Sequence, residues 1–424
     1  MKVPHSSIQS VGIDLSQIVS VLSDALDWVG LHEPHHGKRV AFMAVQLGDA
    51  LNLPKPLMED LFLGGLIHDI GASSSRVLQE LLDSEYAGDM SVHCRRGAEL
   101  VSCFRPLKHL APMILHHHTH WGDFASIEDD TAASEKLLAN CIALSDRIDI
   151  LLRRYPDADP LMMRDVIKKI VVTEAKEEKF MPELMDAFSV ISDHEAFWFS
   201  QDIIEIGGLI GRYATERRVL DFSFEDLRDL ATVLSLVIDA KSSFTALHSF
   251  GVMSLASFLG YSAGLSVQAC DLLEIASLLH DVGKLRIPDE ILENPGALTV
   301  QERSVIARHS FYSFHILSRI EGFEKVAMWA GNHHEYINGS GYPFHLKGEQ
   351  LSTESRILTI ADIFQSLSQD RPYRKAMSSV QVLSILDSMV MQGKLDGDIV
   401  HLIHENLDHC CTMMAVGLNS SQRN

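Results

Sequence analysis

The chain has 424 residues, enough for two cores of ordinary size. Hydrophobic residues make up 46% and charged residues 22%, which are globular values. A formal charge of −21 argues against a broad surface for long nucleic acid, although divalent cations and a few Lys or Arg can still make one pocket receptive to a small anion.

From the N-terminus, MKVPHSSIQSVGIDLS has no apolar stretch of the secretory kind, and no run approaches the ~20 apolar residues of a membrane span. Cys94, Cys103, Cys141, Cys270, Cys410 and Cys411 form no CxxC pair and read as reduced thiols. A cytoplasmic protein without a membrane partner is expected. The pattern is helical almost throughout, so the expected fold class is all-α. LMEDLFLGGLIHDIG is amphipathic and ends on His68–Asp69. From about Leu151 to Ala240, charged amphipathic stretches punctuated by Pro156 and Pro160 predict helices that finish a first domain. In DFSFEDL, Ser223 and Asp226 are spaced as a capping box that opens a second. The expected domains are therefore residues 1–222 and 223–424. CDLLEIASLLHDVGK then repeats the earlier amphipathic pattern, with Leu272, Leu273, Ala276 and Leu279 on one stripe. Asn338–Gly339 sits in a Gly-rich loop rather than between alternating strands, and the GLNSSQRN tail is expected to fray.

One seven-residue pattern is written twice along this helical chain. The first copy is His36, His68, Asp69, His93, His117, His118 and Asp146. The second is His248, His280, Asp281, His309, His333, His334 and Asp362. The offset is 212 for the first three (248−36, 280−68, 281−69) and 216 for the last four (309−93, 333−117, 334−118, 362−146). A single four-residue length difference between Asp281 and His309 reconciles them. Imidazoles and carboxylates repeated in register predict a metal site on each half of a duplicated fold. The donors suit Fe, Mn, Zn, Ni or Co and disfavour Mg or Ca, which prefer oxygen-only shells. A carboxylate beside a His can bridge two cations, and such a pair activates water and clamps a phosphoryl group.

HDVGK, HHEYINGSGYP and RILTIADIFQSLSQDRPYRKAM, in that order, closely resemble the HD-GYP family, over about Ala240 to Met377. That family is a branch of the HD phosphohydrolases that hydrolyses cyclic dinucleotides. The resemblance implies a helical domain with a metal centre, often iron or manganese. It makes His248, His280, Asp281 and Asp362 ligands of one metal and Asp281, His309, His333 and His334 ligands of the other, with Asp281 bridging. His280, Asp281 and Lys284 would form the catalytic group, Lys284 reaching the scissile phosphate. Arg371 and Arg374 would hold phosphate oxygens. Gly339, Gly341, Tyr342 and Pro343 would line the substrate, the glycines allowing its close approach. Glu335 is expected to orient a ligand imidazole. Members with a third metal carry Glu where this chain has Phe244, so two divalent metals are expected. Asn338 stands for a usual Asp and keeps the turn propensity.

The first copy resembles the broader HD superfamily: Ala72 replaces Lys284, Thr119 replaces Glu335, and HHHTHWGDF replaces the GYP loop. Its donors are complete, so a metal is expected there too, serving either a regulatory role or a 5′-nucleotidase acting on the linear product. The expected reaction is metal-dependent hydrolysis of cyclic di-GMP or 3′,3′-cyclic GMP-AMP to a linear 5′-phosphorylated dinucleotide. A nucleotidase and a non-catalytic cyclic-dinucleotide receptor are the competing readings, and a homodimer is the one assembly considered.

Overall fold

The computed structural model describes residues 11–29, 35–72, 91–127, 131–155, 157–201, 219–241, 248–292, 294, 296–370 and 375–420. Its contacts divide the chain into two compact units, Leu15–Arg218 and Val219–Asn424, the latter joined by Met1–Asp14. Both are helical, as the sequence pattern predicts. Among the described residues the exception is one antiparallel ribbon, in which Val11–Asp14 pairs with Val219–Phe222, Val11 opposite Phe222. Its strands are roughly two hundred positions apart in sequence, so no hairpin turn announces it. The ribbon puts the strand Val11–Asp14 in the second unit, although helix Leu15–Val29, which follows it directly, belongs to the first.

The duplication holds at the level of single helix ends. Helix His36–Ala50 corresponds to His248–Ser262, and Lys55–Ile67 to Val267–Leu279, each start and end displaced by the same 212 residues. Their buried stripes match as well: Leu61, Leu66 and Ile67 in the first copy, Leu273, Leu278 and Leu279 in the second. Helix Ser91–Ser102 corresponds to Val300–Leu317, and Ala133–Arg153 to Thr353–Ser368.

Capping chemistry sets several of these starts. Ser266 and Ser352 accept from the backbone N–H groups of Ala269 and Ser355, and Thr299 with Glu302 forms a reciprocal capping box. The expected box at Ser223 and Asp226 opens helix Phe224–Lys241: Ser223 N–H donates to Asp226 Oδ2 at 3.0 Å and Asp226 N–H to Ser223 Oγ at 3.2 Å. The glycine of each HDxG turn packs directly against backbone. A Cβ on Gly71 would lie 2.0 Å from the His93 carbonyl oxygen, and one on Gly283 would lie 2.0 Å from that of His309. Only glycine lets the turn carrying the His-Asp pair rest on the helix carrying the third histidine. Among the described residues no helix is long and apolar enough to cross a membrane.

Candidate metal centres

In each unit five elements deliver the seven side chains to one place. In the second copy, His248 opens its helix and His280 and Asp281 follow the end of Val267–Leu279. His309 lies mid-helix, His333 and His334 follow helix Glu324–Gly331, and Asp362 lies on Thr353–Ser368. His280 Nδ1 donates to Ser277 O at 2.7 Å, His309 Nδ1 to Ile306 O at 2.6 Å and His333 Nδ1 to Ala330 O at 2.6 Å. A carbonyl only accepts, so each of these rings carries its proton on Nδ1 and turns an Nε2 lone pair inward. Two such lone pairs, on His309 and His333, face each other at 3.1 Å, and the buried Nε2 of His280 has no hydrogen-bond partner. Converging lone pairs repel unless a cation lies among them, so the donor set fits a metal centre.

Asp281 presents one oxygen to each side of the cluster. Its Oδ2 lies 3.3 Å from His280 Nε2, and its Oδ1 lies 3.4 Å from His309 and 3.9 Å from His333. That is the disposition a bridging carboxylate needs. Asp362 Oδ1 lies 3.0 Å from His248 Nε2 and 4.0 Å from His280 Nε2. Lys284 Nζ donates to Asp281 Oδ2 at 2.5 Å. Burial opposes ionisation of Asp281, but His280 and Lys284 outweigh it and hold the carboxyl well below the usual range. Burial, reinforced by the neighbouring imidazole of His334, pushes His309 down to about 3, and burial takes His334 down to about 4. Both are neutral at pH 7, the form that ligates.

The GYP loop differs in detail from the sequence expectation. Glu335 orients no imidazole. Its carboxylate accepts from the backbone N–H groups of Phe344, His345 and Leu346 at 2.6, 2.9 and 3.2 Å, and so ties the loop to the segment that carries His333 and His334. Gly341 is glycine because a Cβ there would lie 2.5 Å from the backbone of His334–Tyr336, against which the loop folds. Gly339 takes a left-handed φ of 77°. The close approach the glycines permit is thus to the chain itself. Tyr342 stands with its ring centroid 4.9 Å from that of His334, and the Tyr342–Pro343 peptide is cis. Asn338 Oδ1 accepts from Ser340 N–H at 3.0 Å, the turn role expected of it. Arg371, Arg374 and Phe244 lie outside the described residues.

The first copy reproduces this plan. Asp69 turns Oδ2 toward His68 and His36, at 3.3 and 3.6 Å, and Oδ1 toward His93 and His117, at 3.5 and 3.7 Å. Asp146 Oδ1 lies 3.3 Å from His36 Nε2. His68 and His117 donate Nδ1–H to Gly65 O and Ile114 O. Three residues that the sequence reading missed join the cluster. Asp149 accepts from His36 Nδ1 at 2.8 Å and from the fully buried Arg39 at 2.6 and 2.9 Å. The corresponding positions of the second copy, 39+212 and 149+216, hold Gly251 and Gln365, and there His248 Nδ1 has no hydrogen-bond partner among the described residues. The paired exchange was readable from the repeat itself. The third is Cys94, whose thiol lies 3.6 Å from His93 Nε2. Burial opposes ionisation of that thiol, yet His117 and His93 bring it down to about 6.

Two family models, each described as an HD domain, match, one at residues 35–151 and the other at 231–399, so each match spans one copy of the pattern. A 3′3′-cGAMP-specific phosphodiesterase 1 of Vibrio cholerae is 35% identical over 399 residues, covering 93% of this chain and 92% of that protein. The chain belongs to the HD-GYP family of cyclic-dinucleotide phosphodiesterases. Over a shorter stretch of 161 residues, the cyclic di-GMP phosphodiesterase response regulator RpfG of Xanthomonas campestris is 35% identical, covering 38% of this chain and 43% of that one. In fold, the crystal structure of a cyclic GMP-AMP-specific phosphodiesterase of Vibrio cholerae, V-cGAP3, superposes with a TM-score of 0.63 at 23% identity. It covers 96% of this chain and 98% of its own. HD-GYP enzymes are metal-dependent phosphohydrolases, and in this one both tandem HD domains carry His and Asp clusters able to hold metal.

Proposed function

We propose that the C-terminal domain hydrolyses 3′,3′-cyclic GMP-AMP to the linear 5′-phosphorylated dinucleotide, with cyclic di-GMP the poorer substrate. The observation that carries this reading is the bridging disposition of Asp281 between two sets of inward lone pairs. The choice of substrate rests on the 3′3′-cGAMP specificity named for a relative that matches nearly the whole chain.

In this reading His248, His280 and Asp362 hold one divalent ion, His309, His333 and His334 hold a second, and Asp281 joins them. Iron or manganese suits those donors. Bound there, the pair would supply a nucleophilic water at neutral pH and charge stabilisation for in-line displacement at phosphorus. The chain's own groups do the rest. The neutral imidazoles stay unprotonated through the physiological range, and Asp281 stays ionised beside Lys284. Lys284 is the ammonium within reach of a phosphate oxygen at the cluster and supports the leaving oxygen. Tyr342, with Gly339 and Gly341 shaping the loop behind it, stands beside His334 as a wall for a base or sugar, and Arg371 and Arg374 bind phosphate oxygens. The first domain holds metal on His36, His68, Asp69, His93, His117, His118 and Asp146. Its complete donor set without a Lys284 equivalent favours a 5′-phosphomonoesterase over a second cyclic-dinucleotide site.

Product separation tests both assignments. Wild type, His280→Ala/Asp281→Ala and His68→Ala/Asp69→Ala variants are incubated with each cyclic dinucleotide and Mn²⁺ or Fe²⁺. The cyclic substrate should persist only with the first variant, and the linear product should accumulate with its 5′-phosphate intact only with the second. Cleavage of the cyclic substrate at the wild-type rate by the His280→Ala/Asp281→Ala variant sinks the main assignment.

A further inference from the structure

The first cluster contains a donor that the second lacks. Cys94 directly follows His93 on helix Ser91–Ser102, and the matching residue beside His309 is Ser310 (94+216). The Ser310 hydroxyl turns away and donates to its own helix at Ala307 O, 3.3 Å. The Cys94 thiol turns inward. It lies 3.6 Å from His93 Nε2 and 4.0 Å from His117 Nε2, which are themselves 3.2 Å apart. Ligand atoms of His93, Cys94, His117 and His118 all fall within 4.8 Å of one another.

The 3.2 Å and 3.6 Å spacings match a tetrahedral ion. With metal–nitrogen bonds of about 2.0–2.1 Å and a metal–sulfur bond of about 2.3 Å, tetrahedral angles separate two nitrogens by about 3.3 Å and a nitrogen from the sulfur by about 3.6 Å. Cys94 is 2% exposed, so the thiol meets the imidazoles rather than solvent. His117 Nδ1 already donates to Ile114 O at 2.7 Å, so Nε2 is the ring atom left to ligate the same ion once its proton is displaced.

We infer that Cys94 is a thiolate ligand of the first domain, completing a His93–Cys94–His117–His118 site for a thiophilic divalent ion, Zn²⁺ before all. The two domains of one chain then select different metals: a sulfur donor joins the nitrogen and oxygen donors in the first, and nitrogen and oxygen act alone in the second. As the sulfur–metal bond forms, the Cys94 thiol proton leaves to solvent, and no oxidation change is involved. The inference rests on the reading that the first domain holds metal.

The test is optical and independent of turnover. In a His280→Ala/Asp281→Ala background, which disables the second site, metal-free protein is titrated with Co²⁺. Near-ultraviolet thiolate-to-cobalt charge transfer should grow with the visible bands of tetrahedral Co²⁺ and saturate at one thiolate-bound ion per chain. Cys94→Ser, which installs the residue native to the other copy, should abolish the charge-transfer band and lower Zn²⁺ affinity by at least an order of magnitude. Cys103→Ser, at an exposed thiol, should leave both unchanged. Co²⁺ bound without a thiolate band, or a band surviving Cys94→Ser, overturns the ligand assignment and leaves the metal reading standing. No Co²⁺ uptake in this background overturns both.

Discussion

Asp149 carries two obligations in the first domain: it neutralises the buried Arg39 and orients the His36 ring. Removing one partner of a buried pair leaves an unsolvated charge, so Asp149→Ala should cost about 3–5 kcal/mol in denaturant unfolding of the metal-free protein. A loss under about 1 kcal/mol would mean that Arg39 finds water on its own. The same substitution frees the His36 ring, and metal affinity at the first site should fall about 10–100-fold. Lys284 offers the opposite signature. Its side chain is a donor and not a ligand, so Lys284→Met should leave metal content unchanged and lower kcat by about 10²–10³-fold. Parallel loss of metal would mean that the ammonium's main work is to hold Asp281.

At the scale of elements, the site depends on two backbone contacts that tolerate no side chain. The HDVGK turn rests on helix Val300–Leu317 through Gly283, and the GYP loop rests on the His333–His334 segment through Gly341. Gly283→Ala forces backbone against backbone and should destabilise the second domain by about 1–3 kcal/mol or more, with loss of bound metal seen by mass spectrometry. Glu335→Gln is gentler. It weakens charge-assisted bonds to three loop N–H groups, so KM should rise more than kcat falls, and proteolysis should speed up within residues 338–347. An unchanged KM would detach the loop from substrate binding. The role of Glu335 was not legible in sequence, because its partners are backbone groups nine to eleven residues away, and a residue string does not report where a loop turns back. The histidine spacing was legible, because helices and their ends deliver those side chains, and both follow local patterns.

For the whole molecule, the two copies have become electrostatically unlike. Burial opposes charge on His36 and His117, but carboxylates around the first, and Cys94 and Asp69 beside the second, raise both rings well above the usual histidine range. In the second copy, burial leaves His248, His309, His333 and His334 below it, and only His280 of the five is raised, burial there being outweighed by Asp281. Groups with raised values are protonated at pH 7 in the metal-free protein and must release protons when a cation enters. Metal affinity at the first site should therefore increase more steeply with pH than at the second. Calorimetry in buffers of different ionisation enthalpy, on variants retaining one site each, measures this, and equal proton release would contradict it. Sequence alone determined the helical class and the doubled pattern of donors, because helical periodicity and ligand identity are local and the fixed offset carries one copy's meaning to the other, and the motifs HDVGK, HHEYINGSGYP and DRPYR carried the resemblance of the second copy to the HD-GYP family. The tertiary structure decided what distinguishes the copies: the Arg39–Asp149 pair under His36, the thiol turned inward at Cys94, the Glu335 clamp and the ribbon joining Val11–Asp14 to Val219–Phe222. The repeat shows where the copies differ in sequence, but only the folded packing brings these groups within bonding distance.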